Sequence, residues 1–170
     1  MPNKVIVAGI DPGPTESAFV EWDGKKVLSK DDMDNVQLLN YLEKYPHIVA
    51  IERIRGFGMK AGNEIFDTVE WIGRFHQAKR TDCYLVPRKA AIVHLCGTPK
   101  GNDPAIRKAL IYRIGEQGTK KNPGPLFGVT KHKLPALAIA VTFHDLINTK
   151  EGLEIISKTP QLIKNTPVAA

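Results

Sequence analysis

The stretch that most constrains the fold is residues 4–13, an apolar run that ends in a carboxylate and a Pro-Gly pair. Its Val and Ile side chains are typical of a strand that is buried on both faces of a sheet. Asp11 closes the run, and Pro12-Gly13 predicts a turn directly after it. Asp11 is therefore predicted at the end of a buried strand. There it either opens the turn, as Asp often does, or lies open to solvent or a metal.

The next residues predict a meander. Residues 15–22 alternate enough to form a strand, and residues 26–29 would form the returning strand. Asp23-Gly24 between them is a strong hairpin signal. The first three strands are therefore expected to lie side by side and antiparallel.

Two more apolar runs predict buried strands. Residues 47–51 form one and end in a second carboxylate, Glu52, while residues 83–86 form the other and end at Pro87. Helices are predicted between and after these strands, at residues 35–44, 63–75, 88–95, 105–114, 135–143 and 152–157. Residues 115–133 are rich in Gly and Pro and are expected to be irregular. This order predicts an α/β fold with a mixed five-stranded sheet, a meander of three strands followed by two parallel strands, and helices on both faces.

Three helices carry specific expectations. In the first, Val36, Leu39 and Leu42 share a stripe, with Asp34 or Asn35 as the cap. The second has a stripe of Ile65, Val69 and Ile72, widened by Phe66 and Phe75, and contains Gly73, whose presence close packing would explain. The helix from Pro135 is apolar almost all round, so it should be buried.

The length of 170 residues fits one domain, residues 1–170, with residues 150–170 as a peripheral helix and tail. No run of about 18 apolar residues predicts a membrane span, and the first residues lack the pattern of a signal peptide. Cys83 and Cys96 do not have metal-site spacing. A cytoplasmic protein with reduced thiols is the simplest expectation.

The chain carries a formal net charge of +6, and its basic residues are dense between Lys79 and Lys133. Basic loops of this kind often face a phosphate backbone. A basic surface that is merely solvated is the alternative.

The two carboxylates at strand ends suggest a metal site. If the strands before Asp11 and Glu52 are parallel neighbours, both side chains emerge at the same end of the sheet. Two close carboxylates repel each other, so such a site usually holds a cation, and oxygen ligands favour Mg²⁺ or Mn²⁺. A pair of such ions can activate water and stabilise the leaving oxygen of a phosphodiester. A metal-dependent nuclease is therefore favoured over two unrelated turn acids.

Several short motifs, taken together, carry a family resemblance. They are GIDPG, VAIE, NDPAIRKALIYRIG, KKNPGPLFGV, HKLPALAIA and ALAIAVTFHD. From residue 4 to residue 145 the chain resembles the ribonuclease H-like superfamily and, within it, the RuvC-type Holliday junction resolvases of the bacteriophage and prophage branch. The resemblance implies a homodimeric, Mg²⁺-dependent endonuclease that resolves four-way DNA junctions or other branched DNA, with Mn²⁺ able to substitute.

The resemblance also implies roles for individual residues. Asp11 and Glu52 match the first two catalytic acids of the family, and His132 matches the first residue of a later pair, as a metal ligand or an acid-base group. Pro135 stands where the second acid of that pair is expected. Asp103 and Asp145 are the substitute ligands, although helix capping and a surface position explain them as well.

Contacts with DNA are expected from the loop after Glu52, where Phe57 could wedge against or stack on a base. The candidates for DNA binding are Arg53, Arg55, Phe57, Lys60, Arg88, Lys89, Lys100, Arg107, Lys120, Lys121, Lys131 and Lys133. Trp71 and the helix around it resemble the dimer-forming element of the family, although an amphipathic helix needs only a core to explain it.

Two other functions compete with the nuclease. The first is a catalytically weak protein that binds junctions or shapes DNA, which the proline at position 135 suggests. The second is a sugar-kinase-like or actin-like ATPase, which also begins with a strand and a similar turn. Such ATPases need two lobes, and the sequence has no Gly-rich phosphate motif, so no nucleotide cofactor is expected.

Overall fold

The strands of the protein form one mixed sheet with helices on both faces. A computed structural model describes residues 4–56, 58 and 60–160. The elements are β1 (Val7–Asp11), β2 (Glu16–Trp22), β3 (Val27–Asp34), α1 (Asn35–Leu42), β4 (Ile48–Arg53), α2 (Asn63–Lys79), β5 (Cys83–Pro87), α3 (Arg88–Cys96), α4 (Asp103–Ile114), α5 (Lys133–Leu146) and α6 (Lys150–Lys158).

The strand order is β3-β2-β1-β4-β5. β1 pairs antiparallel with β2 and parallel with β4, and β5 continues parallel to β4. The turn at Asp23 joins β2 to β3, where the Asp23 carboxylate accepts hydrogen bonds from the backbone N–H groups of Lys25 and Lys26. The predicted meander, the two parallel strands and the five-stranded mixed sheet are confirmed.

Each face of the sheet supports its own core. On one face Val7 and Val20 pack with α3, α4 and α5, while on the other face Ala8 and Ile10 pack with α1 and α2. This alternation is the period of two that a strand buried on both faces produces.

α5 lies directly on the central strand β1, and nearly all its residues from Leu134 to Phe143 are buried, as its all-round apolar sequence predicts. Gly9 makes this close approach possible. A Cβ atom at that position would lie 1.9 Å from the carbonyl oxygen of Ala136. The position of α5, and of the residues that precede it, therefore depends on a glycine in β1.

Two elements differ from expectation in the first third of the chain. β3 continues to Asp34, beyond the predicted end at Ser29, and its last residues are mostly exposed. Charged residues are tolerated there because β3 is an edge strand. Asp34 caps α1 through hydrogen bonds from the backbone N–H groups of Val36 and Gln37. The buried face of α1 is Asn35, Leu38 and Leu42, so the predicted stripe through Val36 is wrong.

The apolar side chains of α2 are buried only in its second half. Ile72 and Phe75 are in the core, whereas Ile65, Phe66 and Val69 are exposed. Close packing does not explain Gly73, because a Cβ atom there would meet no described atom within 4 Å. Part of the apolar stripe of α2 is therefore not covered by any described residue and is exposed.

In the second half of the chain, the observed elements largely match those predicted from the sequence. Residues 115–132 contain no helix, with only an isolated bridge between Gly118 and Pro123, as expected. Asn102, and not Asp103, caps α4, since its side chain accepts a hydrogen bond from the backbone N–H of Ala105. Asp103 is the first residue inside that helix.

α6 packs against the outer strand β5. Ile155 is buried there, and the hydroxyl oxygen of Thr159 accepts a hydrogen bond from the backbone N–H of Leu85. Within residues 4–56, 58 and 60–160, no helix combines the length and apolar character that crossing a membrane requires.

Candidate active site

Asp11 and Glu52 lie side by side at the carboxyl ends of two parallel strands. Ile10 of β1 pairs with Ile51 of β4, so the next residue on each strand is a carboxylate. Ile10 and Ile51 both point into the core under α1 and α2. Because successive side chains of a strand alternate, Asp11 and Glu52 both point to the opposite face, which carries α3 and α5.

Both carboxylates are largely buried, with side chains that are 15% and 12% exposed for Asp11 and Glu52. Burial raises the pKa of Glu52 to about 6, and the nearby charge of Asp11 adds to this shift, while Arg88 opposes it. Burial also raises the pKa of Asp11, although a hydrogen bond with His132 acts to lower it. Negative charge is therefore costly at this position, and a bound cation would relieve that cost.

His132 lies next to Asp11. Its Nδ1 atom is 2.9 Å from Oδ2 of Asp11, and its side chain is 76% exposed. His132 is the residue before α5, so the packing of α5 on Gly9 determines where the imidazole sits. The imidazole can hold a proton, transfer one or ligate a metal.

Arg88 completes the charged cluster. It begins α3 directly after β5, and its Nη1 atom lies 3.3 Å and 3.4 Å from the two carboxylate oxygens of Glu52. Its Nη2 atom donates to the carboxylate of Asp103 in the first turn of α4. The sequence suggested Arg88 only as a phosphate contact. The sequence signal for a role in the cluster was the position of Arg88 directly after the third parallel strand, because residues that follow parallel strands meet at one edge of the sheet.

The two substitute acids have different surroundings. Asp103 contacts Arg88 of the cluster. Its side chain does not cap α4, because Asn102 provides that cap. Asp145, near the end of α5, is held by Arg113 at 2.8 Å and by Nε2 of His94 at 2.7 Å. Burial alone would raise the pKa of Asp145, but these two partners hold it below its usual range. No described contact joins Asp145 to Asp11 or Glu52.

The position of the fourth expected acid is occupied by Pro135, in the first turn of α5. Among the residues that the structure describes, no group of three or more His, Cys, Asp or Glu side chains is arranged to hold a metal ion. Two adjacent carboxylates nevertheless suit one Mg²⁺, which commonly binds through one or two carboxylates and completes its shell with water or substrate oxygens. The donor set therefore fits a single hard cation held by Asp11 and Glu52.

A groove begins at this cluster. It has a volume of about 980 Å³ and runs from Glu52 and Arg88 between α3 and α6. Arg53, Arg55 and Lys89 line it, together with acidic side chains of α6 and apolar side chains of both helices. Arg53 is anchored there, because its Nη1 atom donates to the backbone carbonyl of Lys158.

The other predicted DNA-binding residues are mostly on the surface. The exposed ones are Arg55, Lys60, Lys89, Lys100, Arg107, Lys120, Lys121 and Lys131. Lys133 is different, because its side chain is only 17% exposed and donates to Asp32 of β3. Phe57 lies outside the described residues.

The sheet order, the parallel strand ends and the flanking helices define a ribonuclease H-like fold. Two solved structures of Thermus thermophilus RuvC, one of them in complex with Holliday junction substrate, resemble this chain with a TM-score of 0.61 and 20% sequence identity. Each alignment covers 82% of this chain and 93% of the RuvC chain. No family model and no curated protein sequence matches the chain.

Proposed function

We propose that this protein is a metal-dependent, structure-selective endodeoxyribonuclease that resolves four-way or other branched DNA junctions. The observation that carries the proposal is the pair of buried carboxylates, Asp11 and Glu52, at adjacent parallel strand ends. The likeness of the fold to a protein crystallised with Holliday junction substrate supports DNA as the substrate class. The sequence motifs support the bacteriophage branch of the RuvC-type resolvases as the origin.

In this proposal Asp11 and Glu52 hold a Mg²⁺ ion, for which Mn²⁺ can substitute. When bound, the ion acidifies water and stabilises charge on the phosphate. Nδ1 of His132 is engaged by Asp11, so Nε2 is left on the solvent side of an exposed ring. Nε2 can there accept a proton from the attacking water or, when protonated, deliver one to the leaving oxygen.

The proposed enzyme is a homodimer. Paired cuts on symmetric strands of a junction require two active sites, which a twofold-symmetric dimer supplies. The exposed apolar face of α2, formed by Ile65, Phe66 and Val69, is suited to such an interface.

The decisive test compares cleavage of a synthetic four-way junction with cleavage of a linear duplex of the same sequence, in Mg²⁺ and in Mn²⁺. We expect junction nicking by the wild type and a loss of at least about 100-fold in Asp11→Asn and Glu52→Gln, with junction binding retained. Glu43→Gln is the matched control, because Glu43 is exposed after α1, before β4 begins. Undiminished cleavage by either active-site variant would exclude this assignment.

A second candidate is a junction-binding protein with little or no cleavage. The proline at position 135 and the contact of Arg88 with Glu52 favour it, because both reduce the negative charge available to metal ions. Tight junction binding without nicking in either metal, at any concentration up to saturation, would select this alternative.

A further inference from the structure

We infer that Arg88 supplies the positive charge that a second metal ion would otherwise supply, and that each active site accordingly binds one ion. This inference rests on the proposed nuclease function. It concerns how the site balances charge, so its test can fail while junction cleavage remains.

The first observation is a shortage of ligands. Hydrolysis of a phosphodiester by two ions uses acidic groups that hold both ions close together. Here Asp11 and Glu52 adjoin, while Pro135 provides no ligand and Asp145 is occupied by Arg113 and His94. With Asp103 bound to Arg88 and His132 bound to Asp11, the described groups around the site suffice for one ion.

The second observation is the geometry of Arg88. One terminal nitrogen of its guanidinium, Nη1, faces both oxygens of Glu52, and the other terminal nitrogen, Nη2, donates to Asp103. A guanidinium is planar and always charged, so it can bind two acids at once and still present positive charge to a phosphate. Its backbone is fixed at the junction of β5 and α3, where Pro87 precedes the helix.

These contacts assign different roles to the two partners of Arg88. Glu52 is shared between Arg88 and the ion, because it also adjoins Asp11. Asp103 contacts Arg88 and is more exposed, with 63% of its side chain accessible. Asp103 is thus a positioning residue that keeps the guanidinium in the site when the ion draws Glu52 away.

The test measures Mn²⁺ binding to the purified full chain by electron paramagnetic resonance, beside junction cleavage. We expect one Mn²⁺ per wild-type chain. In Arg88→Ala, loss of the competing cation should tighten Mn²⁺ binding several-fold, while cleavage falls by about 100-fold or more, as for loss of other groups that stabilise transition-state charge. Arg88→Lys should keep part of the cleavage.

Lys108→Ala is the control for charge alone. Lys108 is an exposed residue of α4, and its removal should leave Mn²⁺ affinity within about twofold because surface charges are screened. Circular dichroism of Arg88→Ala establishes that the variant is folded. If it is not, Arg88→Gln replaces it in the same measurements.

A double-mutant cycle separates Asp103 from a metal ligand. Asp103→Asn should reduce cleavage in the wild-type background and have little effect in Arg88→Ala. Two Mn²⁺ per wild-type chain, or a full effect of Asp103→Asn without Arg88, would overturn the inference. Failure of the wild type to bind Mn²⁺ and to nick junctions would overturn the proposed function as well.

Discussion

At the scale of single residues, Glu52 shows how the fold makes a carboxylate costly. Its side chain is 12% exposed, and Arg88 contacts both of its oxygens at a range that is long for a charge-assisted hydrogen bond. The partial compensation leaves the pKa at about 6. The folded protein therefore disfavours the ionised form of Glu52. A metal ion that binds the ionised carboxylate would offset this cost.

This shift predicts a pH-dependent stability. In the metal-free protein, the neutral form of Glu52 favours the folded state, so its contribution is complete below about pH 4.5 and is lost as the pH rises through about 6. Between pH 4 and pH 7.5, we expect the free energy of unfolding of the wild type to fall by about 2 kcal/mol relative to Glu52→Gln. Urea denaturation of both proteins at the two pH values, with EDTA present, measures the difference.

The same experiment with Mg²⁺ provides the control. At pH 7.5 the ion should stabilise the wild type and leave Glu52→Gln nearly unchanged, because only the wild type offers both carboxylates. A difference between the two proteins that does not vary with pH would contradict the raised pKa.

The positions of individual residues could be predicted from the sequence where a strand determines them. Asp11 and Glu52 each end an apolar run, and parallel pairing brings such ends together. The contact of Arg88 with Asp103 could not be inferred in this way. It depends on how α3 and α4 pack against each other, and no local periodicity encodes the angle between two helices.

At the scale of elements, β1, β4, β5 and α5 were predictable because burial on all sides requires uninterrupted apolar residues. The amphipathic helices were harder. A stripe indicates which face is apolar but not how much of it the same chain covers, and three of the five apolar residues of the α2 stripe are exposed. The charged end of β3 carried no strand signal, since an edge strand requires little apolar content.

The exposed part of α2 predicts the mode of association. Phe66 is 60% exposed beside Ile65 and Val69, so Phe66→Lys should convert a dimer into a monomer by placing charge in an apolar interface. Light scattering coupled to size-exclusion chromatography gives the mass directly. Leu153→Lys is the control, because Leu153 of α6 is 61% exposed but lies on another helix. Equal effects of both variants, or a monomeric wild type, would argue against the α2 interface.

Gly73 lies seven residues after Phe66, on the same stripe, and costs helical stability without any described neighbour to justify it. In the Phe66→Lys background, Gly73→Ala should raise the free energy of unfolding by about 1 kcal/mol, the usual difference in helix propensity. Thermal denaturation measures the change. The reverse substitution in the same helix, Ala78→Gly, should lower stability by a similar amount, and loss of stability in Gly73→Ala would indicate a contact that the single chain does not show.

At the scale of the whole molecule, the sheet separates two ends. The carboxyl ends of β1, β4 and β5 carry Asp11, Glu52 and Arg88, whereas the hairpin between β2 and β3 lies at the opposite end, since Trp22 pairs with Val7 at the start of β1. Both ends expose lysines, so a net charge of +6 alone does not locate a DNA-binding surface. In the proposed nuclease, the position of the acidic cluster locates that surface, because a scissile phosphate must reach the cluster.

This separation predicts which lysines contribute to the salt dependence of binding. Lys131 precedes His132, and Lys100 lies just before α4, whose first residue contacts Arg88. The double variant Lys100→Ala/Lys131→Ala should reduce the slope of log affinity against log salt by about 2, because each lost phosphate contact releases about 0.9 counterion fewer. Fluorescence anisotropy with a labelled four-way junction, without divalent metal, gives the slope. Lys25→Ala/Lys26→Ala removes the same charge at the opposite end and should leave the slope unchanged, so an equal reduction would place DNA elsewhere on the molecule.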